Sequence, residues 1–92
     1  MRYVWDPSKD AENRRKHGLS LEEGVDALED PNSQAWTDDR YEYGEVRNAT
    51  AGLGKRGILL VISTLRSEDL TRIISVRKAN AYEHDCYYHG IP

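Results

Sequence analysis

Three groups of side chains carry the chemical potential of this chain. The first is Asn13-Arg14-Arg15-Lys16-His17-Gly18. Asn13 and His17 stand four residues apart and would share one helix face with Lys9 and, approximately, Lys16. An imidazole can exchange a proton near neutral pH, and adjacent cations can hold a phosphate. The competing reading is that Asn13 and His17 satisfy each other or a backbone carbonyl and so close a helix end, where a positive His17 would also be favoured. The second group is Glu45-Val46-Arg47. Strand alternation would put Glu45 and Arg47 on one face, where Arg47 can grip a phosphate through its planar fork while Glu45 orients it or acts as a base. An ordinary surface ion pair fits that spacing equally well. The third is Arg72-Ile73-Ile74-Ser75-Val76-Arg77-Lys78-Ala79. Alternation puts Thr71, Ile73, Ser75 and Arg77 on one side and Leu70, Arg72, Ile74 and Val76 on the other. The second side is mostly apolar and should meet helices, with Arg72 at its margin. Ser75 and Arg77 would then face an open surface, Arg77 near Arg47, as an anionic substrate would require. Strand cations also serve simply to keep a sheet soluble. Lys55 and Arg56 add possible phosphate contacts at a hairpin tip, unless that turn is merely solvated.

The elements that must position these groups can be read from caps and periodicity. Tyr3-Val4-Trp5 suits a short first strand. Asp6-Pro7 is an N-cap followed by a first-turn proline, and Gly18 supplies a left-handed stop, which predicts a helix over Pro7–His17. Its interior, from Ser8 to Lys16, holds Ala11 as its one aliphatic residue. Such a helix gains little from burial, so its polar residues need another explanation. Ser20-Leu21-Glu22-Glu23 is a capping box opening a second helix over Leu21–Glu29, with Leu21, Val25 and Leu28 as its core face. From Ser33 to Glu42 little can be read beyond a Trp36 able to pack on a sheet. Three strands follow, over Glu45–Ala51, Ile58–Leu65 and Leu70–Arg77, the first two joined through Gly52-Leu53-Gly54-Lys55-Arg56-Gly57. Ile58-Leu59-Leu60-Val61-Ile62 is continuous enough for the buried central strand. A last helix over Ala79–His89 ends at Gly90. The expected fold class is α+β, an antiparallel sheet of three or four main strands with two N-terminal helices and one C-terminal helix.

The 92 residues allow one modest core in a single domain spanning the whole chain. No apolar run approaches the ~20 residues of a membrane span. The first residues lack the layout of a secretory signal, and the lone Cys86 can form neither an internal disulfide nor a thiolate-based zinc site, so a cytoplasmic location is expected. The net charge of −3 argues against a nucleic-acid binder until it is divided along the chain. Through Val46 six bases face twelve acids, and from Arg47 onward seven bases face four, so the later part is the one suited to an anionic partner. There is no HExxH, Walker loop or nucleophile elbow. The glycine-rich stretch at 52–57 leads into a strand and not a helix, which argues against nucleotide binding. Any hydrolysis is therefore expected to need no metal and no other cofactor.

Trp5-Asp6-Pro7-Ser8-Lys9, Asn13, Lys16-His17-Gly18-Leu19-Ser20, Asp30-Pro31, Glu45 and Arg47, Gly52 and the run Arg72 to Ala79, continuing to Glu83 and Tyr87, together resemble the BrnT toxin family. The likeness covers nearly the whole chain in order. It implies a RelE-like ribonuclease fold, growth inhibition through RNA cleavage, and neutralisation by a BrnA-like antitoxin whose own domain would contact operator DNA. The family's polar motif positions fall here on Lys9, Asn13, Lys16, His17, Glu45, Arg47, Arg72, Ser75, Arg77 and Glu83.

Together these readings predict a metal-independent endoribonuclease. His17 is the preferred proton-transfer group and Glu45 the second choice. Arg47 and Arg77 stabilise charge on the phosphate, while Lys9, Lys16, Lys55, Arg56, Arg72 and Ser75 bind RNA. The alternative is a non-catalytic module that folds an antitoxin segment and takes part in operon autoregulation. In the last helix, Tyr82 and Cys86 are expected to face inward, and Tyr87 and Tyr88 to contribute to the antitoxin contact.

Overall fold

The computed structural model describes residues 1–39 and 44–92, so the end of the weakly patterned Ser33–Glu42 stretch lies outside the described residues. The elements run β1 (Arg2–Val4), α1 (Pro7–His17), a 3-10 turn (Leu21–Glu23), α2 (Gly24–Glu29), β2 (Gln34–Thr37), β3 (Asn48–Gly54), β4 (Gly57–Ser67), β5 (Leu70–Lys78) and α3 (Ala81–His89). The strands form one sheet in the order β1-β5-β4-β3-β2. The three long strands make the expected antiparallel meander, and short strands extend it on both sides: β2 antiparallel to β3, and β1 parallel to β5. The sheet is therefore mixed. No described helix is long and apolar enough to cross a membrane.

Both faces of β4 are covered, which is why its apolar run is continuous. On one face Leu59 and Val61 join Ile73 and Val76 of β5 beneath Leu19, Leu21 and Ala27 of the α1–α2 layer. On the other, Leu60 and Ile62 join Ala49 and Ala51 of β3, with Trp36, Ile74 and Tyr87 packed against them. The small residues of β3 let α2 approach closely. A Cβ at Gly52 would lie 2.1 Å from the Ala27 carbonyl oxygen, a contact only glycine permits.

The helix ends follow from capping. Asp6 accepts from the Ser8 amide, and Gly18 (φ 70°) returns its N–H to the Arg14 carbonyl. The second predicted helix is divided, because the Ser20–Glu23 capping box first closes a 3-10 turn. The last helix starts two residues later than expected. Asn80 and Glu83 form a reciprocal capping box, each side chain accepting from the other's backbone amide at 2.9 Å.

Uniform alternation along β5 is corrected by the structure. Ser75 is paired with Ile62 but Ile73 with Ser63, so Ile74 is an extra residue in the strand. Such a bulge reverses the inside–outside parity at that point. Ile73 and Val76 consequently share the α1–α2 core, although they are an odd three positions apart. Tyr82 is also corrected: it is 59 % exposed, while Glu83 and Cys86 are the buried residues of α3.

Candidate active-site groove

The open edge of β5 creates the site. Strand β1 pairs only with Leu70, Thr71 and Arg72, so beyond Arg72 the outer edge of β5 needs another partner. Helix α1 provides it through Asn13. The buried Asn13 carboxamide donates from Nδ2 to the carbonyls of Val76 and Leu19, both at 2.8 Å, and its Oδ1 accepts from the Val76 amide at 3.1 Å. One side chain thus meets Val76 as a neighbouring strand would. This explains a helix with almost no apolar face: α1 is docked by a buried polar side chain that satisfies backbone groups otherwise left unpaired. Of the two expected arrangements for Asn13, bonding to backbone carbonyls is the one observed. His17 remains exposed at the C-terminal end of the same helix.

Docking α1 at this edge leaves a groove made of two adjoining clefts. The first, about 140 Å³, is lined by Lys9, Glu12, Asn13, Lys16, His17, Ile74 and Ser75. The second, about 120 Å³, is lined by Asp6, Lys9, Arg47, Arg72, Ile73 and Ile74. Lys9 and the bulged Ile74 belong to both. Lys16 pairs with Glu12 at 2.9 Å. Among the described residues Lys9 has no carboxylate within ion-pair distance, although Asp6 and Glu12 both lie in its field; Asp6 is held below the usual carboxylate range chiefly by hydrogen bonds from Ser8, and Glu12 chiefly by Lys16, with Lys9 adding to both.

The arginines of the second cleft are fixed by Glu45. Its Oε2 accepts from Arg47 Nε at 3.0 Å and from Arg72 Nη2 at 3.1 Å. The backbone carrying Arg47 is pinned at both flanks. The Thr64 hydroxyl donates to the Val46 carbonyl, and the Asp38 amide donates to the Arg47 carbonyl. Thr64 in turn is paired with Arg72 across β4 and β5, which brings the two arginines together. The hydrogen bond from Arg47, with the charge of Arg72 beside it, holds the Glu45 carboxyl below its ordinary range. Glu45 is therefore a firmly ionised brace, poorly suited to taking a proton at neutral pH.

Most predicted site residues converge here: Lys9, Lys16, His17, Arg47, Arg72 and Ser75 line the groove, and Glu45 braces it. Arg77 lies elsewhere. It makes a two-pronged pair with the buried Glu83, both contacts 2.8 Å, beside a larger hollow of about 310 Å³ whose walls include Trp36, Asp38 and Tyr82. Because Glu83 also caps α3, this pair fastens that helix to β5. The hairpin cations are outside the groove too. Arg56 binds Glu23 at 2.8 and 3.0 Å and the Gly18 carbonyl, and Lys55 borders a depression with Tyr3, Trp5 and Val25. Tyr87 donates to Asp30 at 2.6 Å, which pushes its phenol up to about 12, and its ring meets Tyr88 edge-on at 5.0 Å. Tyr88 is 66 % exposed.

Comparison with known proteins follows the same outline. A family model described as the ribonuclease toxin BrnT of type II toxin–antitoxin systems matches residues 5–83. No curated protein sequence matches the chain. Among solved structures, the 1.1 Å crystal structure of the Brucella abortus ribonuclease toxin BrnT superposes with a TM-score of 0.62 at 24 % identity, over 87 % of this chain and 97 % of that one. That likeness is one of fold.

Proposed function

Because the chain belongs to the BrnT ribonuclease toxin family of type II toxin–antitoxin systems, we propose that it is an endoribonuclease that needs no metal ion and is silenced by a small antitoxin of the BrnA type. The observation that carries this reading is the groove between α1 and the bulge of β5. It holds Lys9 and Lys16 beside an exposed imidazole, with Arg47 and Arg72 in the adjoining cleft. Among the described residues, Asp6 and Glu12 on its walls and the bracing Glu45 stand against these four cations, on a chain of net charge −3.

In this reaction His17 accepts the proton of a ribose 2′-hydroxyl as that oxygen bonds to the adjacent phosphorus. The bond from phosphorus to the 5′-oxygen breaks, leaving a 2′,3′-cyclic phosphate and a 5′-hydroxyl. The departing oxygen takes its proton from a second donor, for which Lys9 and Lys16 are the candidates. Charge growing on the non-bridging oxygens is met by the groove cations, which stand ready before the substrate arrives. Glu45 serves by holding Arg47 and Arg72, and Arg77 serves by anchoring α3. Operator DNA is contacted only through the antitoxin.

The test is growth of cells expressing each variant at equal protein level. General acid–base groups contribute about 10²–10⁴-fold to rate. His17→Ala should therefore restore growth, and Arg47→Ala, which removes a charge-assisted phosphate contact, should weaken growth arrest, while circular dichroism stays unchanged. Growth arrest persisting in both folded variants would overturn the assignment.

A further inference from the structure

We propose that the two clefts are consecutive phosphate subsites for one RNA strand: the scissile phosphate sits beside His17 in the first, its neighbour sits at Arg47 and Arg72 in the second, and Lys9 bridges them. This rests on the ribonuclease reading and specifies its substrate contacts.

The imidazole and the arginine pair are separated along the groove. His17 borders only the first cleft, and Arg47 and Arg72 only the second. On α1, His17 lies eight residues beyond Lys9, about 12 Å along the axis at 1.5 Å per residue. By lining residues alone, a single phosphate placed against the Arg47–Arg72 pair is in a different cleft from the imidazole. Each cleft, at about 140 and 120 Å³, is also small beside the roughly 300–1,000 Å³ of sites that enclose a whole small molecule. Two small cationic hollows in series suit the repeating charges of a strand lying along an open groove.

The second cleft has the character of a holding site. Its arginines are braced by a carboxylate, which fixes their planar forks for an anion with two or more acceptor oxygens. Within Arg72, Nη2 donates to both Glu45 oxygens, and the buried Nε–H has no acceptor among the described residues. The second cleft contains no imidazole. The first has the opposite character: His17 and Ser75 are present, and Lys16 is already paired with Glu12. Lys9, common to both and without an ion-pair partner among the described residues, is placed to contact two successive phosphates. It couples strand binding to positioning of the reacting bond.

The experiment uses the full-length protein and an RNA in which a cleavage site has first been mapped. That RNA is resynthesised with one neutral methylphosphonate linkage, either directly upstream of the cut, directly downstream, or three linkages away. One of the two adjacent replacements should slow cleavage about tenfold or more, the scale of one charge-assisted contact, while the distant one changes it less than about twofold. In Arg47→Ala the sensitive replacement should cost less than about twofold, because the contact it removes is already gone. Arg47→Gln, which keeps the side-chain bulk, should behave the same way and guards against a folding artefact. Lys16→Ala should slow the unmodified RNA yet keep the full methylphosphonate effect. Equal indifference to both adjacent replacements, or an undiminished effect in the folded Arg47 variants, would overturn the subsite assignment while leaving ribonuclease activity standing. Failure to find any cleaved RNA would instead overturn the ribonuclease reading, and this inference with it.

Discussion

Asn13→Leu tests the feature on which the groove depends. The substitution keeps a branched side chain of similar shape at a buried position but deletes its carboxamide. Three hydrogen bonds disappear, two at 2.8 Å and one at 3.1 Å, and the Val76 amide and the carbonyls of Val76 and Leu19 lose their partners. At about 1 kcal/mol net for each neutral hydrogen bond, and more where water cannot replace it, the expected loss is about 3 kcal/mol. A domain of this size has roughly 5–14 kcal/mol in total, so the variant should still fold but with much less margin. Each 1 kcal/mol moves the melting temperature of such a domain by about 4–8 °C, which predicts a fall of about 12–24 °C. Urea denaturation should agree, with the midpoint lowered by about 1–3 M. His17→Ala on the exposed side of the same helix is the control and should shift stability by no more than about 0.5 kcal/mol. A melting temperature within about 4 °C of the parent for Asn13→Leu would refute the claim that this side chain seals the edge of β5.

Gly52→Ala should destabilise by about 2–3 kcal/mol in urea titrations, because its methyl group would meet the backbone of Ala27 and not a movable side chain; a neutral effect would mean that α2 can retreat. Glu23, Asp30 and Glu45 are held below their ordinary range by Arg56, Tyr87 and Arg47 respectively. Carboxylates lowered in the fold add stability that is complete above their unfolded values, about 4, and is lost as pH falls through the folded ones. Melting temperature should therefore hold steady from pH 7 to about 5 and decline below about 4, and a melting temperature independent of pH down to 2 would contradict those pairings. Tyr88→Ala combined with Tyr87→Ala should weaken the co-purified antitoxin complex about tenfold or more, the scale of an interface hot spot, and unchanged affinity would remove α3 from that contact.

The parts of this molecule that were legible in its sequence are those governed by local chemistry. Asp6-Pro7 and Gly18 bounded α1, and the unbroken apolar run from Ile58 identified the central strand. Relations set by long-range pairing were not legible. A short first strand is expected from Tyr3-Val4-Trp5, but its parallel partner lies near the far end of the chain, and nothing in Arg2-Tyr3-Val4 announces that pairing. The bulge at Ile74 carries no glycine or proline, and it alone breaks the alternation expected along β5. Asn80-Ala81-Tyr82-Glu83 did carry a usable signal: its spacing is that of a capping box, which places the start of α3 at Ala81 and Glu83 beside Arg77. For the candidate site, phosphate chemistry needs cations and a proton carrier, and residue types alone singled out Lys9, Lys16, His17, Glu45, Arg47 and Arg72, which the fold brings around one groove. Types alone could not reveal that Arg77 is committed to Glu83, or that Arg56 is committed to Glu23, because a paired and an open guanidinium read the same in a sequence.

If this groove cuts RNA by proton transfer and cation stabilisation, the reaction needs no divalent ion and leaves characteristic ends. The most direct test is incubation of the purified, antitoxin-free protein with RNA in excess EDTA, followed by analysis of the ends. Cleavage should be discrete and undiminished by the chelator, the fragments should bear 2′,3′-cyclic phosphate and 5′-hydroxyl termini, and His17→Ala should lose about 10²-fold or more. Intact RNA, or cleavage that EDTA abolishes and a divalent cation restores, would contradict this mechanism.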